Sequence, residues 1–395
     1  MKILHVIPGY YPAIRYGGPT ESVHLLNMAL AKQGIYVDVL TTDSGIKDRN
    51  DIVLNEWVYH KGVRIKYLRC YFSERYAFSP SVFNLLLRQT KNYDLVHLTA
   101  LWSFPVLAGA CACMICKRPY IVSPRGVLYN EAINLKSKEL KKLYYSLMLG
   151  SVLEKATAWH FTASHERDNV SPMVSNCINE SKSIVIPNGI DLNDYENLPV
   201  KGSFKKRYPG LGGNKYILFL GRLNKKKGLD ILVEAFREIL QVDNKCYLVI
   251  AGPDDGYEKT IKNILNSYKI SDRVIFTGIL KGENKLAAYV DAELFVLPSY
   301  SENFGMSIVE AMACGTPVII SNRVGICDDI EEFNAGIVVA PIAKLLVSGI
   351  RNLLTNPTLS REISINAKRL IVEKYDIDKV ASLMINAYQS VLQNQ

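Results

Sequence analysis

Apolar residues along the chain fall into short runs separated by stretches of helical periodicity. Lys2–Ile7, Tyr36–Thr41, Val63–Tyr67, Leu95–Leu98, Tyr120–Ser123, Ala158–Thr162 and Ser183–Ile186 are short, apolar and bounded by Pro, Gly or polar residues. That is the pattern of parallel strands buried on both faces. Between them, Glu21–Lys32, Ser81–Lys91, Phe104–Cys116, Lys138–Glu154 and Ser164–Val174 predict helices, as in the spacing of Val23, Leu26 and Leu30. The alternation restarts after residue 210. Strands are predicted at Tyr216–Leu220, Cys246–Ile250, Val274–Thr277, Leu294–Leu297, Pro317–Ser321 and Ile337–Val339. Helices are predicted at Gly228–Leu240, Tyr257–Tyr268, Gly305–Met312, Ala343–Leu354 and Thr358–Lys374. The expectation is an α/β protein with two Rossmann-like, mostly parallel sheets, divided as 1–195 and 196–374. The seam, Ile190–Asn214, is rich in Pro, Gly, Asn and charge and lacks apolar periodicity. Ligands of such sheets bind at the carboxyl ends of strands, so two domains facing each other make a cleft, and the chemistry belongs in strand-to-helix loops.

Composition narrows the class. A chain of 395 residues, 48% of them apolar, can bury large cores without disulfides or metal and is neither disordered, collagen-like nor a small disulfide scaffold. The net charge of +9 is spread evenly, with no basic tail, so nucleic acid is not an expected partner. Mild positive charge suits a phosphate-bearing ligand or an anionic membrane surface. The apolar stretch Ile3–Pro8 is too short for a signal peptide, and no window approaches the roughly 18 apolar residues of a membrane span. Cys111, Cys113 and Cys116 lie in the longest apolar region among Ala, Gly, Met and Ile, and read as reduced thiols in a helix core. A cytoplasmic location is expected. Leu135–Leu149 mixes four lysines with Leu, Tyr and Met. It is either a surface helix with its apolar face on the core or a peripheral contact with the inner face of the cell membrane.

Three loops carry polar chemistry. Ile14–Thr20 follows the first strand, and its Gly17–Gly18 pair permits positive φ and close backbone approach ahead of a helix N-terminus. It is not G-x-G-x-x-G; a plain turn is an equal reading. Gly221–Gly228 (GRLNKKKG) places Arg222 at a strand end and Lys227 beside the next helix. By composition it is either a diphosphate clamp or a solvated basic loop. Ser301–Pro317 (SENFGMSIVEAMACGTP) carries Glu302 on the loop and Glu310 inside an otherwise apolar helix opened by Gly305. Two carboxylates in one strand–loop–helix unit can bond two hydroxyl-bearing parts of one ligand. The amides of Asn303, Phe304 and Gly305 add donors at a helix N-terminus.

GRLNKKKG followed by SENFGMSIVEAMACGTPVI resembles the E-x7-E signature of family-4 retaining glycosyltransferases with the GT-B fold. PNGID (Pro187–Asp191), the Gly-Gly loop and VHLTALW (Val96–Trp102) resemble the same family, and the likeness spans nearly the whole chain. It implies that Arg222 and Lys227 hold the donor diphosphate, with Gly17 and Gly18 approaching it. Glu310 would bond the ribose, Glu302 would contact the donor sugar with Asn303, Phe304 and Gly305, and Ile279–Leu280 would line the base pocket. Glu302, Arg222 and Lys227 would be the catalytic set. The C-terminal helix 375–393 would cross back onto the N-terminal domain. The acceptor, a saccharide or lipid-linked saccharide of surface polysaccharide synthesis, would meet Tyr16, His97, Trp102 and Arg125. The implied donor is a nucleotide-sugar, with UDP-glucose or a close UDP-sugar favoured. A nucleotide-sugar epimerase and a non-catalytic sugar-nucleotide binder are the alternatives.

No metal or other cofactor is expected, and a diphosphate oxygen can itself take the acceptor proton, so a protein base is not mandatory. Retaining glycosidases instead place two carboxylates about 5 Å apart across the bond, a role not assigned to Glu302 and Glu310. Departures from the family are Arg125 of SPRG where many relatives have histidine, Thr99 for the second histidine of H-x-H, and Ile326–Cys327 after Gly325. An arginine cannot act as a general base at neutral pH, but it can bond a sugar hydroxyl, a phosphate or an acidic sugar. His97 is equally well read as a core-packed histidine. Asp376-x-Asp378 mimics a metal motif, but it opens a helix, where aspartates cap.

Overall fold

The computed structural model describes residues 1–13, 18–46, 48, 52–134 and 138–393, with the backbone alone at 131, 134 and 138. The chain divides into two units, Met1–Gly189 with the segment from Ile377 onward, and Ile190–Asp376. The first unit ends at Gly189 rather than at 195. The Ile190 amide donates to the Tyr375 carbonyl at 2.8 Å, and its side chain lies in the core of the second unit.

The first unit is built on an eight-stranded sheet: β1 (Lys2–Gly9), β2 (Tyr36–Thr42), β3 (Trp57–His60), β4 (Val63–Leu68), β5 (Leu95–Thr99), β6 (Tyr120–Ser123), β7 (Ala158–Phe161) and β8 (Ser183–Val185). Their order is β3-β4-β2-β1-β5-β6-β7-β8, parallel throughout except for β3 against β4. Every residue of β5, β6 and β7 is buried, which is why these strands are mostly apolar; the buried histidines and Thr99 pair internally, while Ser123 Oγ does not. One face packs under Pro80–Gln89 and Phe104–Cys116 through Val82, Leu86, Leu107 and Ala110. The other packs under Gly18–Lys32 and Ile377–Gln393 through Val23, Leu26, Val380 and Met384. Asp378 pairs with Lys32 at 2.7 Å between these two helices. Chain direction across the sheet reverses between β1 and β5, the position where open α/β sheets take ligands.

Several elements differ from the sequence expectation. β3 was not foreseen. It joins β4 through Lys61–Gly62, both at positive φ, a two-residue hairpin turn in which lysine replaces the usual Asn or Asp. The helix expected over 164–174 is two, Ser164–Asp168 and Pro172–Ser175, because Pro172 starts a new turn and Ser171 accepts from the Met173 amide. The helix expected over 138–154 contains a π turn at Tyr145–Leu149 between Lys138–Tyr144 and Gly150–Glu154. Cys113 is fully buried in the helix Phe104–Cys116, and burial pushes its thiol pKa upward.

The second unit holds β9 (Tyr216–Leu220), β10 (Tyr247–Ala251), β11 (Val274–Gly278), β12 (Leu294–Leu297), β13 (Val318–Ser321) and β14 (Ile337–Val339). All pairings are parallel, in the order β11-β10-β9-β12-β13-β14. The direction reverses between β9 and β12, so the loops GRLNKKKG and PSYSENFG leave adjacent strands at the switch point. Three helices here are also absent from the sequence expectation: the short Ser203–Arg207 within the seam, and Gly282–Asp291 and Cys327–Glu332, whose polar exposed faces dilute the apolar period.

Candidate functional site

The two loops at the second switch point are held together by backbone. Gly228 has φ +69, and a Cβ there would sit 2.1 Å from the Pro298 carbonyl oxygen, so only glycine lets the loops approach. The Tyr300 amide donates to the Lys226 carbonyl at 2.8 Å. On its other side the β9 loop is zipped to the β10 loop: the Leu223 amide donates to Pro253 at 2.9 Å and the Asp255 amide to Leu223 at 3.1 Å. Asp254 accepts from the Glu258, Tyr257 and Gly256 amides, bonds that hold its carboxyl below the usual range.

Lys227 and Glu302 meet in an ion pair across these loops, with both side chains mostly shielded from water. The Glu302 backbone is fixed from the β13 side, its amide donating to Arg323 at 3.0 Å and its carbonyl accepting from Gly325 at 2.9 Å. Arg222 stands at the end of β9, exposed, with Nη1 3.1 Å from Asp255 Oδ2, and Asn224 Nδ2 bonds the same oxygen at 3.1 Å. Glu310 lies in the helix Met306–Ala313, capped by Gly305 at φ +87, and accepts from Lys285 Nζ at 2.8 Å and Tyr289 Oη at 3.0 Å. Burial, then the Glu310 charge, raises the Tyr289 phenol far above its ordinary value. The amides of Phe304 and Gly305 make no hydrogen bond with the described residues. Ile279, just beyond β11, is exposed, and Leu280 is half-buried.

Lys285, Tyr289 and Asp255 escaped the sequence reading. Lys285 and Tyr289 are four apart, and so share one face of Gly282–Asp291; that spacing was the available signal.

In the first unit, Gly18 opens the helix Gly18–Lys32, while Tyr16 and Gly17 lie outside the described residues. Trp102 follows β5 and donates to the Val127 carbonyl at 3.1 Å. Arg125 follows β6 at φ +57, is almost wholly buried, and donates from Nη1 to Asn188 Oδ1 of the PNGID loop. Burial lowers its pKa to about 10.

His97 does not fit an acceptor contact. It is fully buried, and both ring nitrogens are engaged. His160 Nε2 lies 2.9 Å from the Ile186 carbonyl, which only accepts, so that nitrogen carries the proton and His160 Nδ1 is an acceptor. His97 Nε2–H therefore donates to it at 3.4 Å, and Tyr388 Oη–H donates to His97 Nδ1 at 2.8 Å. His5 stacks on His97 with centroids 4.5 Å apart and bonds Thr99 at 2.7 Å and Asn27 at 3.0 Å. Burial lowers all three imidazole pKa values, to about 3 for His5 and His160. This layer couples the C-terminal helix to β1, β5 and β7 as neutral packing.

Comparison with known proteins follows the same two-part plan. Residues 16–194 match the family model Glycosyltransferase Family 4, and residues 202–370 match Glycosyl transferases group 1. An uncharacterized glycosyltransferase of Methanocaldococcus jannaschii is 28% identical over 404 residues, covering 100% of this chain and 99% of that protein. A GDP-mannose:cellobiosyl-diphosphopolyprenol alpha-mannosyltransferase of Xanthomonas campestris is 26% identical over 397 residues, covering 99% and 97%. The crystal structure of Anabaena HepE in complex with UDP-glucose superposes with a TM-score of 0.76 at 20% identity, covering 99% of this chain and 100% of that one. The fold and the matched models define a glycosyltransferase of the GT-B type. Within that class the chain carries a Family 4 region followed by a group 1 region.

Proposed function

We propose that the chain is a retaining, metal-independent glycosyltransferase of family 4. It moves a hexose from a UDP-sugar, UDP-glucose or a close relative, to a saccharide or lipid-linked saccharide acceptor of surface polysaccharide synthesis. The observation that carries this reading is the Lys227–Glu302 pair at the switch point, with Arg222 on the same β9 loop and Glu310 in the helix that follows Glu302. The Anabaena structure holds UDP-glucose, and the Xanthomonas relative is named for a diphosphopolyprenol-linked acceptor.

As the sugar departs, the diphosphate gains negative charge, and Arg222 and Lys227 stabilise it more as that charge grows. The exposed Arg222–Asp255 pair is cheap to exchange for a phosphate oxygen. Lys227 is positioned by Glu302, whose second oxygen can accept a donor-sugar hydroxyl. Glu310 exchanges its lysine and tyrosine donors for ribose hydroxyls, and the amides of Phe304 and Gly305 add donors beside the sugar. A diphosphate oxygen takes the acceptor proton, so a protein base is not required, and Arg222 and Lys227 meet the diphosphate charge in place of a metal. Trp102 and Arg125 serve the acceptor, and the exposed apolar helix that includes Leu143 and Leu147 gives a peripheral membrane contact.

Calorimetry with UDP and GDP, followed by a donor screen read as UDP release, tests the reading. Absence of binding by both nucleotides would end it.

A further inference from the structure

We propose that the first unit contains a recognition site for an anionic group of the acceptor, phosphate or carboxylate, formed by Arg125 and Ser123 at the carboxyl end of β6. The inference rests on the glycosyltransferase reading only for the word acceptor; the anion site itself rests on the geometry.

Ser123 is the last residue of β6, has no exposed surface, and its hydroxyl has no hydrogen-bond partner. Arg125, two residues on, is 8% exposed, and its Nε is buried without a partner. Its hydrogen bond to the described residues is the one from Nη1 to Asn188. A guanidinium withdrawn from water normally meets a carboxylate fork to fork. The nearby acid does not offer one. Glu166 accepts from the Gly126 amide, from the Thr162 amide at 2.8 Å and from Thr162 Oγ1 at 2.9 Å. It balances the Arg125 charge through space while its oxygens hold backbone. The imidazoles are committed too: His160 bonds Ile186 and His97, and His97 bonds Tyr388. Two buried, unsatisfied donor groups at one strand end are costly, and a ligand that completes them is the physical reason to keep them.

The chemistry of that ligand follows from the donors. A guanidinium offers only N–H groups in a planar fork, so the partner is an acceptor with matching oxygens, and the charge makes it an anion. The location agrees: Arg125, Thr162 and Asn188 follow β6, β7 and β8, the ligand-binding edge of a parallel sheet. Apart from the Gly17–Gly18 loop, the residues proposed for the donor, Arg222, Lys227, Glu302 and Glu310, lie in the second unit, so Arg125 is assigned to the acceptor. Phosphate on a lipid or sugar and the carboxylate of an acidic sugar share this chemistry.

The test titrates inorganic phosphate, and separately D-glucuronate, into the full chain saturated with UDP, read by calorimetry. At least one anion is expected to bind. Arg125→Gln should weaken it about tenfold or more, Arg125→Lys should restore part of the loss, and Ser123→Ala should weaken it about threefold. UDP affinity should change less than about twofold in these variants, because the donor contacts lie elsewhere. Stronger binding of phosphate or of glucuronate tells which anion the acceptor carries. The proposal is overturned if neither anion binds, or if both variants of Arg125 and Ser123→Ala bind it as the parent chain does. Should Arg125→Gln fail to fold, Arg125→Lys and Ser123→Ala decide. If UDP itself does not bind, the glycosyltransferase reading falls instead, and the titration without UDP still decides for Arg125.

Discussion

Lys227 and Glu302 join the loops after β9 and β12 through one ion pair, at the point where the second sheet reverses direction. Each is the other's partner, so removing either changes both loops. Glu302→Ala should cost about 1–2 kcal/mol of stability, less than a fully buried pair because both side chains keep some solvent. It should lower turnover about a hundredfold while weakening UDP about threefold, because Glu302 acts on the sugar and Lys227 remains. Steady-state kinetics beside UDP calorimetry separate the two. Equal losses in both would contradict this division.

Glu310 and Lys227 are predicted to act on different parts of the nucleotide. Glu310→Gln should weaken uridine and UDP alike, by about tenfold, since the ribose loses a charged acceptor. Lys227→Ala should weaken UDP by a similar factor and leave uridine unchanged. A loss of uridine affinity in Lys227→Ala would show that the lysine orders the whole pocket.

Gly228→Ala should be among the most damaging single changes in the second unit. The added Cβ would lie 2.1 Å from the Pro298 oxygen, and φ +69 strains any L side chain. A loss of about 2–4 kcal/mol is expected in urea unfolding, because backbone rather than a side-chain tip must move. A loss below about 1 kcal/mol would mean the loops separate freely.

Legibility followed physical locality. The buried strands were readable because a parallel strand covered on both faces must be apolar, and the polar loops between them stood out by contrast. The edge strand Trp57–His60 was not, because its exposed face breaks the run. Arg222, Lys227 and Glu302 were visible as residue types in loops, and Glu310 as the one acid in an otherwise apolar helix. Their partners Asp255, Lys285 and Tyr289 come from other loops and helices, and no local pattern links them. His97 shows the converse: its sequence position fits a ligand contact and a core histidine equally, and the partner that marks it as core, Tyr388, lies far along the chain.

The histidine layer predicts acid sensitivity. The folded pKa values of His5 and His160 are about 3, against 6.5 for a free imidazole, and that of His97 is also lowered. Between these limits the unfolded chain binds more protons than the folded one. Stability is therefore full above about pH 6.5 and falls as pH drops, by up to about 1.4 kcal/mol per pH unit for each histidine. Urea unfolding from pH 7 to 5, before most carboxylates titrate, should show this slope. His160→Gln keeps a donor for the Ile186 carbonyl and should flatten the slope by about one proton; an unchanged slope would assign it to other groups.

The segment Lys138–Glu154 exposes Leu140, Leu143, Leu147 and Met148, and with Tyr76, Trp102, Lys141 and Tyr144 these line a groove of about 410 Å³. Lys141 and Lys142 have partners. Lys141 Nζ donates to the Ala132 and Ile133 carbonyls at 2.7 and 3.3 Å and stands over the Trp102 ring, and Lys142 pairs with Glu139 at 3.2 Å. A membrane contact through this face therefore draws mainly on apolar burial, at about 1.5–3 kcal/mol for each leucine inserted. Leu143→Asp combined with Leu147→Asp should lower flotation with phosphatidylglycerol-containing vesicles at least about tenfold, whereas Lys142→Ala should change it less than about threefold. UDP affinity should be the same in all three proteins, since the second unit is untouched. If the leucine pair floats like the parent chain, this face does not meet the membrane.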